Sequence, residues 1–339
     1  MKILVVRVGR VGDTVMMTPA LSEIIQYYPD AEITLLTSPV GKHLLNSFHP
    51  NITGIWSWQR SGLFKPYIDK SRVRKLLQKS HFDKIFCFDT SPRIAGLFSE
   101  ATGNFYWNQH QATAELKHCA KSYLDFVAKA CNKPALPLYN TLPVDIKVSK
   151  QAESELANIG INKDDILIMF HPTFSGFTKS GFRKKLARLR KLWPVKNYGE
   201  LARKLSQLQL ENGHTPKTLM VLLPDEISYG EEIVASSGGV IKLLKSQSTF
   251  ERYKAMLKRA DLLITPDSGP MHVASALGTS IIAFFSMKDP GDCGPYMPAE
   301  NFTILRTEDT ATPDKGVAAI DVDTVFNACK TILSNQKKV

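Results

Sequence analysis

Asp267, Ser268, Gly269 and Pro270 stand between an apolar run that ends at Thr265 and a small-residue stretch over 271–277. Proline suits the first turn of a helix, so backbone N–H groups beside it point outward and favour an anion. Asp267 is then an N-cap, or an acceptor for a ligand hydroxyl or amine. Helix capping alone explains such a turn as well as ligand binding does, and His272 by itself reads as an ordinary surface histidine.

Asp13 closes a second turn, Gly9-Arg10-Val11-Gly12, that follows an apolar run over 3–8. Two glycines let a ligand approach the backbone closely, and a carboxylate beside them can take a proton as general base. Its structural alternative is to cap the helix that begins at Thr14. The spacing falls short of the G-x-G-x-x-G dinucleotide fingerprint. A third feature is cationic: residues 179–196 hold eight Lys or Arg residues, begin after His171-Pro172-Thr173, and end in Lys191-Leu192-Trp193-Pro194. Such a run is ordinarily a solvated helix face.

The elements that must position these residues alternate along the chain. Strands are expected over 3–8, 32–37, 52–58 and 84–88, with helices over 14–27, 40–48 and 93–102 between and after them. An amphipathic helix over 115–130 and a linker over 132–142 follow. The pattern restarts with strands over 166–170, 219–223, 240–244, 262–265, 281–285 and 302–305, and helices over 150–158, 198–208, 250–259, 271–277 and 322–333. Continuously apolar strands are buried on both faces, which indicates parallel sheets wound by helices. In such sheets ligands bind outside the carboxyl ends of the strands, where Asp13 and residues 89–93 fall. At 339 residues the chain is expected to divide into domains over 1–150 and 151–320, with a C-terminal helix over 321–339 near their junction.

A net charge of +11 implies acidic partners, such as phosphorylated ligands or an anionic membrane surface. No RNA-recognition or zinc-finger pattern is present, so nucleic acid is not expected. No apolar run approaches the roughly 20 residues that span a bilayer, and the N-terminus suits a strand better than a signal peptide. Five dispersed cysteines fit free thiols in a reducing cytoplasm and suggest no metal site.

Residues 267–278, DSGPMHVASALG, resemble the sugar-nucleotide signature of glycosyltransferase family 9, which includes the bacterial ADP-heptose:lipopolysaccharide heptosyltransferases. GDTVMMTPAL, over 12–21, resembles the amino-terminal motif of the same family. H-x-T followed by K-x-W-P resembles its phosphate-contacting loop, here lengthened by about a dozen residues between Phe174 and Arg190. The resemblance implies an α/β chain of GT-B architecture, two Rossmann-like domains with parallel sheets facing across a cleft. It implies an inverting, metal-independent transfer of heptose from ADP-heptose to the Kdo or heptose of the lipopolysaccharide inner core, with no cofactor besides the donor.

On that resemblance Asp13 is the base. Thr173, Lys191, Glu226, Asp267, Ser268, Gly269, Pro270, Met271 and His272 bind the donor, with Glu226 on the nucleoside and Asp225 as its rival. Lys179, Arg183, Lys184, Arg188 and Arg190 are alternatives to Lys191 for the phosphate. No motif fixes the acceptor contacts: Arg10, Arg60 and Arg93 are candidates because a guanidinium fork suits carboxylates and phosphates, with Gly12 beside them, and the acceptor is of lipid A–Kdo type. The enzyme is then cytoplasmic and peripheral at the inner face of the inner membrane. The lengthened segment, with Phe177, Phe182 and Leu186 among its charges, would suit an interface. Other readings are a transferase for a different nucleotide sugar, a dinucleotide oxidoreductase, or a non-enzymatic polyanion-binding protein.

Overall fold

The computed structural model describes residues 1–98, 103–108, 117–178, 181–210, 213–245, 249–286 and 288–335, without the side chains of 183 and 184. The chain forms two compact units, Met1–Pro143 and Val144–Val339. Residue 150 lies inside the Ile146–Asn158 helix, which packs on the Phe250–Arg259 helix of the second unit.

The first unit holds one parallel sheet of β1 (Lys2–Arg7), β2 (Glu32–Thr37), β3 (Ile52–Ser57), β4 (Lys84–Cys87) and β5 (Asn104–Trp107). Its order is β3-β2-β1-β4-β5, with β1 pairing in parallel to both β2 and β4. The second holds β6 (Leu167–Phe170), β7 (Lys217–Val221), β8 (Lys242–Leu244), β9 (Leu262–Pro266), β10 (Ser280–Phe285) and β11 (Phe302–Arg306), in the order β11-β10-β9-β6-β7-β8. Counted from its own first strand, that is the doubly wound order 3-2-1-4-5-6 of dinucleotide-binding folds. Every residue of β6, β9 and β10 is buried, because helices cover both faces of the sheet. Each order reverses once, between β1 and β4 and between β6 and β9.

Several elements differ from the sequence expectation. The expected 14–27 helix is two helices, Val11–Met16 and Thr18–Tyr27. The expected 93–102 helix is one turn, Pro92–Ala95, and residues 99–102 lie outside the described residues. The amphipathic helix runs over Cys119–Cys131, and 115–116 lie outside the described residues. The stretch expected as a linker is part of the first unit. Leu136 N donates to Glu23 Oε1 (2.8 Å) and Thr141 N to Thr18 Oγ1 (3.1 Å), which ties the irregular 132–142 segment to the Thr18–Tyr27 helix. Residues 65–79, where no helix was expected, form a 15-residue helix, Lys65–Lys79.

Candidate active site

In the first unit the switch point is built around an arginine. Arg7 ends β1 after four apolar residues, and its guanidinium lies 2.8 Å from Asp13 Oδ1 and 3.8 Å from Asp89 Oδ2, over the ring of Tyr123. Asp13 sits at the third position of the Val11–Met16 helix, where Oδ2 accepts from Arg10 N (2.9 Å). Asp13 therefore fastens the helix start and still keeps about a third of its side chain exposed. Gly9 makes room for Asp13. A Cβ at residue 9 would stand 2.5 Å from Asp13 Cβ, so only glycine lets the carboxylate fold back over the turn. Gly12 is a helical residue of the first turn.

Asp89, just past β4, is buried and knits this end together. Its Oδ2 accepts from Val8 N (3.1 Å), its Oδ1 lies 3.4 Å from Arg60, and its carbonyl accepts from Trp107 Nε1 (2.8 Å). Of the arginines placed with an acceptor, Arg60 is half occupied by Asp89 and the Val8 carbonyl. Arg10 and Arg93 are exposed, each at the start of a helix outside a strand's carboxyl end.

In the second unit Asp267 does not cap the helix that follows it. Ser268 is the N-cap residue of Gly269–Leu277, and its hydroxyl shares a hydrogen bond with Thr265 (3.0 Å). The Asp267 carboxylate meets Lys191 instead, with Nζ 2.8 Å from Oδ2 and 3.2 Å from the Asp267 carbonyl. The long basic segment thus still delivers Lys191 to the switch point. Trp193 is the reason: it is fully buried, donates from Nε1 to the Ile320 carbonyl (2.8 Å), and packs on Tyr198 and Phe284. Among the alternatives, Arg188 donates to the Phe177 carbonyl and Arg190 is exposed. Lys179 and the side chains of Arg183 and Lys184 lie outside the described residues. Met271 is wholly buried, and His272 is also buried.

Thr173 and Glu226 join in a buried chain of hydrogen bonds. Tyr253 Oη lies 3.1 Å from His171 Nδ1, His171 Nε2 lies 3.2 Å from Thr173 Oγ1, and Thr173 bonds to Glu226. With Glu226 ionised, one assignment satisfies every group: Tyr253 donates to Nδ1, Nε2–H to Thr173, and Thr173 to the carboxylate. Burial holds His171 neutral, with its pKa pushed down to about 4. Burial raises the Glu226 pKa, while bonds from Thr173 and from Leu223 N work against that rise. Because Thr173 is fully buried, a phosphate reaches its hydroxyl only if that group leaves Glu226. Asp225 is exposed and accepts from Thr178 (2.9 Å). Neither Arg7 nor Tyr253 stands out by its motif, and Asp89 does so only as part of the turn over 89–93. The signal that could have found Arg7 is an arginine that interrupts the apolar run over 3–8.

Two Rossmann-like units with acidic and basic side chains at their switch points are the architecture of GT-B glycosyltransferases. Residues 85–319 match the model of Glycosyltransferase family 9 (heptosyltransferase), and the chain belongs to that family. It is 24% identical over 317 residues to the lipopolysaccharide core heptosyltransferase OpsX of Haemophilus influenzae, covering 90% of this chain and 84% of that protein. The glycosyl transferase family 9 structure from Veillonella parvula superposes with a TM-score of 0.81 at 20% identity, covering 98% of this chain and 97% of that one. The E. coli ADP-heptose lps heptosyltransferase II does so with a TM-score of 0.74 at 17% identity, covering 99% and 100%. The protein is a glycosyltransferase.

Proposed function

We propose that this enzyme moves L-glycero-D-manno-heptose from ADP-heptose to a Kdo or heptose of the lipopolysaccharide inner core by a single inverting displacement. The observation that carries the reading is the Lys191–Asp267 pair at the second switch point. It sets a cation where a departing pyrophosphate gathers charge, beside a carboxylate able to accept from sugar hydroxyls. The substrates are supported by the relatives OpsX and the E. coli ADP-heptose enzyme.

In this reading Asp13 takes the proton of the acceptor hydroxyl as its oxygen bonds to the anomeric carbon. The bond from that carbon to the β-phosphate oxygen breaks, and ADP leaves with the electron pair. Lys191 and Thr173 stabilise the diphosphate, and Glu226 accepts from the ribose. Asp267 binds the heptose, with Ser268, Gly269, Pro270, Met271 and His272 around the sugar and pyrophosphate. Arg10, Arg60 and Arg93 hold the anionic acceptor beside Gly12, because guanidinium forks match carboxylates and phosphates. The reading assigns no cofactor and no metal. It sets the enzyme in the cytoplasm, peripheral at the inner face of the inner membrane, where its lipid-anchored acceptor lies; nucleic acid is no partner.

The test is thermal unfolding with ADP, UDP, GDP and NAD+, with Lys191→Met as control, since a ligand of the folded state raises its apparent stability. Stabilisation by ADP and not NAD+, reduced in the variant, supports the reading. A response to UDP or GDP instead overturns the donor, and no response to any of the four overturns the transferase.

A further inference from the structure

The lengthened segment of the second unit folds as a helix, Phe182–Lys191, with its apolar side turned outward. Phe182, Leu186 and Leu189 follow the i, i+4, i+7 spacing that puts three side chains on one stripe. They are 83%, 41% and 65% exposed. The opposite side, with Ala187, Arg188 and Lys191, is the half-buried one, and it packs along Pro313–Ala319. Gly316 there lies so close that a Cβ on it would stand 2.6 Å from Arg190 Cα. A surface helix ordinarily buries its apolar stripe against the core. Here the core takes the polar side. Along the segment that carries the stripe the charge has one sign: residues 166–199 contain no Asp or Glu, and eight Lys or Arg residues fall within 179–196.

We propose that this helix lies in an anionic bilayer surface, with Phe182, Leu186 and Leu189 among the acyl chains and its cations among the headgroups. A basic helix with a bare apolar face has the pattern of an interfacial helix, and both halves of that pattern find a match only at an anionic lipid surface. Lys191, the helix's last residue, is the one on Asp267, so docking would steady the lysine of the donor site. The inference deepens the reading of a membrane-borne acceptor and rests on that reading for its purpose, though not for its test.

The full chain is sedimented with vesicles of phosphatidylethanolamine and phosphatidylglycerol, and with phosphatidylcholine vesicles as the neutral control. Binding to the anionic vesicles alone is expected, weakening as salt is raised. Phe182→Ser/Leu186→Ser/Leu189→Ser should weaken it by about tenfold or more with the melting temperature unchanged, because the three side chains are exposed. Leu189→Trp should show blue-shifted emission on anionic vesicles. Undiminished binding by the triple variant overturns the proposal, as does loss only when the exposed Phe64, Tyr67 and Ile68 of the first unit are replaced. A wild-type dimer that becomes a monomer in the triple variant, with no vesicle binding, assigns the stripe to a second copy and also overturns it. Stabilisation by ADP and transfer to a detergent-dispersed acceptor should survive in the triple variant, so failure of the docking and failure of the transferase reading are told apart.

Discussion

Lys191 Nζ lies 2.8 Å from Asp267 Oδ2 across 76 residues of sequence. Both side chains are mostly buried, so each partly neutralises the other in a site that a diphosphate would enter. Lys191→Met should weaken ADP by about 10- to 100-fold, the scale of a charge-assisted hydrogen bond. It should lower kcat by about 100- to 1,000-fold. Asp267→Asn frees the lysine and should bind ADP more tightly while transfer falls. Calorimetric titration of both variants checks this; weaker ADP binding by Asp267→Asn would contradict it.

Gly9→Ala tests the first unit. The added Cβ meets Asp13 Cβ at 2.5 Å, so the carboxylate must leave its place between Arg7 and the Arg10 N–H. Transfer should drop by about 100-fold or more, as for loss of a general base, and stability by about 1–3 kcal/mol. ADP affinity should not change, because the donor residues lie in the other unit. Steady-state kinetics beside ADP titration separates the effects.

Trp193 sets the position of Lys191, two residues before it. Trp193→Phe leaves the buried Ile320 carbonyl without its donor and should cost about 1–3 kcal/mol. Trp193→Ala adds a cavity beside Tyr198 and Phe284 and should cost about 3–5 kcal/mol. Denaturant unfolding measures both, and Trp193→Phe should also weaken ADP.

His171 predicts an acid slope in stability. Its folded pKa, about 4, lies below the ordinary 6.5, so between these values the unfolded chain binds a proton that the native chain refuses. This contribution is fully present above pH 6.5 and falls as pH drops toward 4, by roughly 3 kcal/mol in all. Glu226 acts in the opposite sense: burial raises its pKa, so the native state gains as pH falls through that value. The difference in stability between wild type and His171→Gln isolates the histidine slope. A difference that stays flat from pH 7 to pH 4 would refute it.

The alternation of apolar strands and helices determined, from sequence alone, two doubly wound parallel sheets, because a strand buried on both faces must be apolar throughout. β2 and the Phe250–Arg259 helix fall where the periodicity puts them. The short ordered motifs pointed to the turns after β1 and β9, since a turn beyond a parallel strand is where backbone and side chains are free to meet a ligand. Element edges were less legible. The Pro92–Ala95 helix stops after one turn, and the Pro-containing 132–142 segment, without periodicity, is held by Glu23 and Thr18, partners more than 100 residues away. Tertiary structure alone decided that Asp267 pairs with Lys191 instead of capping its helix, and that Gly9 makes room for Asp13. It also decided that Tyr253 reaches Thr173 through His171, and that Phe182, Leu186 and Leu189 face outward. Each of these depends on which distant strands and helices lie side by side, and a side chain's type fixes what it can bind without fixing what it meets.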